Sequence, residues 1–214
     1  MPETAEPAGL FHDGAGHARC AWCAATPLYQ RYHDEEWGYP VADERRLFEK
    51  LCLEGFQAGL SWLTILNKRE AFRAAMANFE AETLAHFGDA EVTALLANAA
   101  IVRHRGKIVS AIGNAARMLE LRREFGSFAH YVWRHADAAQ QGRPQTITAQ
   151  ALRNMTTSPA SHALSRDLKK RGFTFVGPTT MYAFMQAMGL VNDHVQGCAA
   201  RAKADAARAA FVLP

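Results

Sequence analysis

Apolar residues recur along this chain at three- and four-residue spacing, the period of helices, and scarcely ever at alternate positions. Asp43 is placed to cap a helix whose inner face would be Leu47, Phe48, Leu51 and Cys52. Gly55 and Gly59 read as the brackets of a loop. A second amphipathic helix then runs from about Ser61 through Leu63, Leu66, Phe72 and Met76. The same period predicts helices near 81–86, 89–98, 103–124, 127–134 and 148–154. Ser158-Pro159 offers a cap and a first-turn proline. The helix it opens should stop near Gly172, and another should follow Gly177-Pro178 through Gly189. The polar stretch 136–144, with Gly142 and Pro144, reads as an exposed loop. Gln145-Thr146-Ile147-Thr148 is too short to found a sheet. The pattern is that of an all-α protein, with an Ala-rich tail from Ala199 that is either helical or frayed.

Length and composition narrow this without redirecting it. The 214 residues, 49% of them hydrophobic, suffice for one domain or one domain with a lobe. A net charge of +3 permits nucleic-acid binding but does not demand it. No apolar run approaches the roughly 20 residues of a membrane span. Residues 1–16 are acidic and Pro/Gly/Ala-rich, with no basic-then-apolar leader. The reading is a cytoplasmic protein with a disordered extension over 1–18. In such a chain Cys20, Cys23, Cys52 and Cys198 suit metal ligands or core positions better than disulfides.

His194 and Cys198 stand one helical turn apart and can face one ion. Near the other end Cys20, Cys23 and His33 are all available. Spacing alone favours Cys20-x2-Cys23, and the bland alternative is core cysteines with a surface histidine. Two look-alikes fail. His33-Asp34-Glu35 with Cys20-x2-Cys23 hints at a zinc nucleobase deaminase, but the order of the two motifs is reversed and Arg19 replaces the proline. Residues 172–179 resemble a P-loop with Pro178 where the lysine should be. That segment reads better as a turn between two helices, whose N–H groups and helix dipole suit a phosphate oxygen. Lys169, Lys170 and Arg171 lie just upstream, and Arg103-His104-Arg105-Gly106-Lys107 forms a second basic cluster.

Glu54 follows an apolar run, where a carboxylate is costly to bury unless paired or used. Trp22, Tyr29, Tyr32, Trp37 and Trp62 flank it in sequence. A flat cationic ligand could stack on such rings with Glu54 accepting from its edge. The plainer alternative is an exposed helix-end glutamate among core aromatics.

Taken together, several long motifs resemble the bacterial 3-methyladenine DNA glycosylase I family. They are Arg19-Cys20-Ala21-Trp22, Pro27-Leu28-Tyr29-x-x-Tyr32-His33-Asp34-x-Glu36-Trp37-Gly38 and Cys52-Leu53-Glu54-Gly55-x-Gln57-Ala58-Gly59-Leu60-Ser61-Trp62. Arg103 to Ile108, Arg171-Gly172-Phe173-x-Phe175-Val176-Gly177 and Phe184 through His194 complete the set. The resemblance runs from about 19 to 198 and leaves 199–214 as a tail. It implies a helix-hairpin-helix fold, the hairpin lying near 165–190, with a small zinc lobe joining both chain ends. The zinc ligands it implies are Cys20, His33, His194 and Cys198, in preference to Cys23. Glu54 and Tyr32 become the catalytic residues, and Trp22, Tyr29 and Trp62 the base-binding ones. Gln57, Gly59, Leu60 and Ser61 would enter the duplex, with Leu60 as the wedge. Lys170, Arg171, Gly172 and Gly177 would hold its phosphates. Asn192 falls where many helix-hairpin-helix glycosylases carry a catalytic Asp. The implied activity is monofunctional excision of 3-methyladenine from alkylated double-stranded DNA, by one copy of the chain with one structural zinc. The rival expectations are a glycosylase of other lesion preference and a non-enzymatic zinc-stabilised DNA-binding module.

Overall fold

The structure, a computed structural model, describes residues 9–214. The first eight residues of the expected extension lie outside the described residues. The rest of that extension belongs to a small hairpin. Strand β1 (Leu10–His12) pairs antiparallel with β2 (Ala18–Cys20), Leu10 opposite Cys20. Asp13 closes the turn by accepting from the Ala15 and His17 amides. An all-α expectation therefore needs this one correction, made by two strands too short to leave an alternating pattern.

Twelve helices follow: α1 (Pro27–Glu35), α2 (Glu44–Gln57), α3 (Trp62–Ala75), α4 (Ala81–Leu84), α5 (Asp89–Ala97), α6 (Arg105–Phe125), α7 (Phe128–Trp133), α8 (Ala136–Gln140), α9 (Ala149–Asn154), α10 (Pro159–Lys170), α11 (Pro178–Ala187) and α12 (Ala199–Ala210). Side-chain caps start many of them as the sequence signals: Asp43 accepts from the Arg46 amide, Ser61 from Thr64 and Ser158 from Ser161. Helix α2 runs through the middle and packs on α3, α6, α7 and α11. Leu47, Phe48 and Leu51 bury its inner face, with Phe72 of α3 and Met118 of α6 in the same core. The Ala-rich tail is helical as α12, burying Ala200 and Ala204.

Two expected loops are helical instead. Helix α2 continues through Gly55 as far as Gln57. Gly55 is there for proximity: a Cβ on it would lie 3.2 Å from the Cβ of Phe175. The stretch 136–144 contains α8, buries Ala139, and sends Arg143 to Asp193, Tyr182 Oη and the Asn192 carbonyl.

Helices α10 and α11 pack on each other across the turn 171–177. Both close with the same C-terminal device. The Phe173 amide donates to the Leu168 carbonyl and Gly172 to Lys169; Leu190 donates to Met185 and Gly189 to Gln186. Each time the glycine has a positive φ, +87° at Gly172 and +74° at Gly189. Gly189 is further constrained, because a Cβ there would meet the Tyr39 carbonyl carbon and the Pro40 nitrogen at 2.4 Å. Left-handed strain and backbone overlap add, so Gly189→Ala should cost about 3 kcal/mol. For a domain of this size that lowers Tm by roughly 6–12 °C, measurable by calorimetry. An unchanged Tm would refute the close approach.

Candidate active site and metal centre

Elements distant in sequence wall one cavity of about 260 Å³. Thr26 caps α1 by accepting from the Tyr29 amide, and Pro27 opens the helix. Tyr29 and Tyr32, three residues apart, then share a face. Glu54 and Gln57 come from the last turns of α2, and Trp62 is the first residue of α3. Trp22, in a 3-10 turn at Ala21–Cys23, closes the side. Its ring centroid lies 4.9 Å from that of Tyr29 and 5.1 Å from that of Trp37, while Tyr32 and Trp62 are 5.4 Å apart. Leu152, Ala183 and Gln186 complete the lining.

The polar groups of this cavity are few and specific. Glu54 is 5% exposed, and its Oε1 accepts from Lys50 Nζ at 2.8 Å. Lys50 also donates to Tyr32 Oη at 2.7 Å. Burial pushes the Lys50 pKa down to about 8, against the pull of Glu54. Burial, and then the Glu54 charge, hold the Tyr32 phenol well above its usual value, and burial pushes Tyr29 up to about 12. Both phenols therefore remain protonated. The indole Nε1 of Trp62 is buried without a hydrogen-bond partner.

Cys20, His33, His194 and Cys198 meet at the far side of Trp22, all buried, with their ligand atoms within 4.8 Å of one another. Cys198 Sγ lies 3.4 Å from His33 Nε2 and 3.6 Å from His194 Nδ1; Cys20 Sγ lies 3.9 Å from His194 Nδ1. A tetrahedral ion with bonds of about 2.0–2.3 Å has ligand–ligand edges of roughly 3.3–3.8 Å. The ring orientations agree. His194 Nε2 donates to the Trp37 carbonyl at 2.9 Å, and His33 Nδ1 is 2.7 Å from the Asp34 carboxylate, which Arg19 also holds. The two remaining imidazole nitrogens then face each other at 3.1 Å, His33 Nε2 also accepting from the Cys20 amide at 3.4 Å. Without a shared cation that contact is repulsive, so the donor set fits a metal ion. Cys23 stands apart, its Sγ donating to the Cys20 carbonyl at 3.1 Å, against the preference that spacing alone gave it.

Beside the cavity mouth, residues 58–61 are exposed, Gly59 at φ +78° and Leu60 at 41% exposure. Lys107 of α6 braces this turn by donating to the Phe56 and Ala58 carbonyls at 2.9 and 2.5 Å. Thr179 and Thr180 of α11 face it across a second cavity of about 210 Å³.

Residues 22–202 match the model of the methyladenine glycosylase family. The chain belongs to that family. It is 49% identical to DNA-3-methyladenine glycosylase 1 of Escherichia coli over 181 residues, 84% of this chain and 95% of that one. It is 42% identical to the Haemophilus influenzae DNA-3-methyladenine glycosylase, over 84% and 96% respectively. A crystal structure of 3-methyladenine DNA glycosylase I superposes with a TM-score of 0.78 at 49% identity, covering 85% of this chain and 98% of that one. The Staphylococcus aureus 3-methyladenine DNA glycosylase I, solved for its recognition of 3-methyladenine, gives 0.78 at 36% identity, covering 86% and 96%.

In this methyladenine glycosylase the base-site residues expected from sequence, Trp22, Tyr29, Tyr32, Glu54 and Trp62, all line one cavity. The expected metal ligands also converge. The expected phosphate set is divided. Lys170 and Gly172 are exposed, but Arg171 is bound to Glu124 and Asp167 and lies over Phe125 and Tyr131. Its charge is already neutralised, which removes it from the available cations. Ser61 caps α3 while remaining exposed. Lys50, Gln186 and Lys107 went unread as site residues. Only Lys50 carried a local signal, its four-residue spacing to Glu54. Asp193, adjacent to the Asn192 position, is wholly buried and accepts from Arg143, Tyr182 and Gln186.

Proposed function

We propose that this protein is a DNA glycosylase that excises 3-methyladenine from alkylated double-stranded DNA and leaves an abasic site. The observation that carries the reading is an aromatic cavity whose one acidic side chain, Glu54, is buried at its wall. A base in a stacked duplex is out of reach, so it must be turned out, at a cost of a few kcal/mol. Leu60, on the braced turn beside the cavity mouth, is the apolar residue to fill the gap it leaves. With Gln57, Gly59 and Ser61 it forms the contact surface for the duplex. Lys170, Gly172 and Gly177 of the α10–α11 unit, read as a helix-hairpin-helix, hold a neighbouring phosphate.

Methylation at N3 places a positive charge on the base while it is still attached. When the bond from C1′ to the ring nitrogen breaks, its electron pair neutralises that charge. Water adds its oxygen to C1′ and gives a proton to solvent. The protein's part is selection: Trp22, Tyr29 and Trp62 stack against a cationic ring, and Glu54, with Tyr32, engages its polar edge. Asp193, next to the Asn192 position, is buried and held by Arg143, Tyr182 and Gln186, and so is not set to activate water. Lys50, behind Tyr32 and Trp62, does not line the cavity, so no Schiff-base nucleophile is available and the enzyme is monofunctional.

Cys20, His33, His194 and Cys198 would hold a zinc ion. Four protein ligands leave no open position, so it would serve to tie the two chain ends together.

Incubating the protein with methylated DNA and separating the released bases tests the activity. Free 3-methyladenine with intact abasic strands is the expected result. Release of 7-methylguanine or an oxidised base instead would assign another lesion, and binding without release would leave only a DNA-binding module.

A further inference from the structure

We propose that Lys50, from behind the cavity wall, fixes the direction of the pocket's hydrogen bonds, holding Tyr32 as a donor and Glu54 as an acceptor toward the bound base. The inference rests on the functional reading above and adds a positioning residue to it.

Lys50 lies one turn before Glu54 on α2, 5% exposed, in a narrow cleft that Tyr32 and Trp62 border on one side and the base cavity on the other. An ammonium has three hydrogens, and all three are engaged. One goes to Tyr32 Oη at 2.7 Å and one to Glu54 Oε1 at 2.8 Å. The third has the face of Trp62, whose ring centroid is 3.2 Å from Nζ. The other charged groups of the cleft are Arg46 and Glu49 on α2, Glu36 after α1, and Arg69 and Arg73 on α3. Glu36 pairs with Arg69 and Glu49 with Arg73. Glu54 is left with Lys50 as its cation.

This fixes two polarities. Tyr32 Oη accepts from Lys50, so its own hydrogen must point elsewhere, and it meets no protein acceptor among the described residues. Because Tyr32 lines the cavity, that hydrogen is available to the base. Glu54 keeps its second oxygen for the base and stays an acceptor. A base satisfies both when an amino group stands beside an unprotonated ring nitrogen, as on an adenine-type edge. A 6-oxo purine offers Glu54 an acceptor instead and leaves a buried carboxylate unmatched.

When Lys50 loses its proton its nitrogen gains a lone pair that can accept the Tyr32 hydrogen, so the polarity is no longer fixed, and burial has brought that event down to about pH 8. Affinity of the wild-type protein for 3-methyladenine, followed by tryptophan fluorescence, should fall above that point by about tenfold in all, to the level of a neutral side chain. Lys50→Met, similar in size and neutral throughout, should bind about tenfold more weakly at neutral pH and show no alkaline fall. It should also discriminate less against 3-methylguanine. Stability moves the other way. The unfolded lysine holds its proton up to 10.5, so between about pH 8 and 10.5 this group's contribution to stability rises while binding falls. General alkaline unfolding would lower both. A flat wild-type binding profile from about pH 7 to 9.5, or an alkaline fall retained by Lys50→Met, would overturn the proposal. If 3-methyladenine is bound at no pH, the functional reading fails. The ligand-free protein then still decides for Lys50, whose proton loss beside Trp62 should give an emission change near pH 8 that Lys50→Met lacks; without that change the placement is wrong.

Discussion

Glu54→Gln is expected to lower single-turnover excision of 3-methyladenine by about 10²- to 10³-fold in a protein that still folds. The substitution keeps the shape and removes the charge. What it takes away is a negative charge that favours the cationic base and the positive charge that grows on the sugar as the glycosidic bond lengthens, in a cavity walled by five aromatic rings. Trp22, Tyr29 and Trp62 remain, so stacking persists, and the loss should fall on the chemical step together with the base hydrogen bonds that charged Lys50 directs. Folding survives for a separate reason. Removing one partner of a buried ion pair ordinarily strands the other. Here the partner is Lys50, whose pKa burial has already lowered to about 8. Without Glu54 only the more distant Glu36 opposes burial, and Lys50 can shed its proton more readily still. The measurement is single-turnover release of base from methylated DNA beside a thermal melt. Excision within about threefold of wild type would remove Glu54 from the centre of the mechanism.

How far this site could be read in the sequence depends on where each interaction lies along the chain. The helices were legible because caps such as Asp43, Ser61 and Ser158 act within three residues. Gly55 misled for the opposite reason: its missing side chain makes room for Phe175, 120 positions away, and only the folded chain brings the two together. Lys50 carries no local mark of a site residue beyond its four-residue spacing to Glu54. Its burial comes from Tyr32 and Trp62, on α1 and α3, which no local pattern encodes. Arg171 illustrates the reverse error. It sits in a basic run, yet Glu124, 47 residues earlier, has claimed its guanidinium. Cysteine spacing favoured Cys23 over His33, and motif resemblance corrected it. The geometric reason is that the 3-10 turn directs the Cys23 thiol back to the Cys20 carbonyl.

Removing the metal, by chelation or by Cys198→Ala, should destabilise the protein by at least about 3 kcal/mol, a fall in Tm of roughly 6–12 °C. The ligands come from both ends of the described chain, Cys20 and His33 near the start and His194 and Cys198 near the end. Losing the ion therefore leaves β2 joined to the segment around α12's start by a small apolar cluster of Cys20, Val195, Cys198 and Ala200, and to α1 by the Arg19–Asp34 pair. It also leaves two imidazole nitrogens opposed at 3.1 Å, a repulsion relieved by protonating one of the four groups or by moving a ring. Movement would reach the base site. Trp22 lies with its ring centroid 5.2 Å from His33, and Trp37, whose carbonyl anchors His194, packs against Trp22 at 5.1 Å. The metal-free protein should accordingly bind 3-methyladenine more weakly even below its melting temperature. Calorimetry with metal analysis on the same samples checks the first effect, and fluorescence titration checks the second. Wild-type protein that carries about one zinc per chain and loses neither stability nor affinity on chelation would show that these four residues do not hold it.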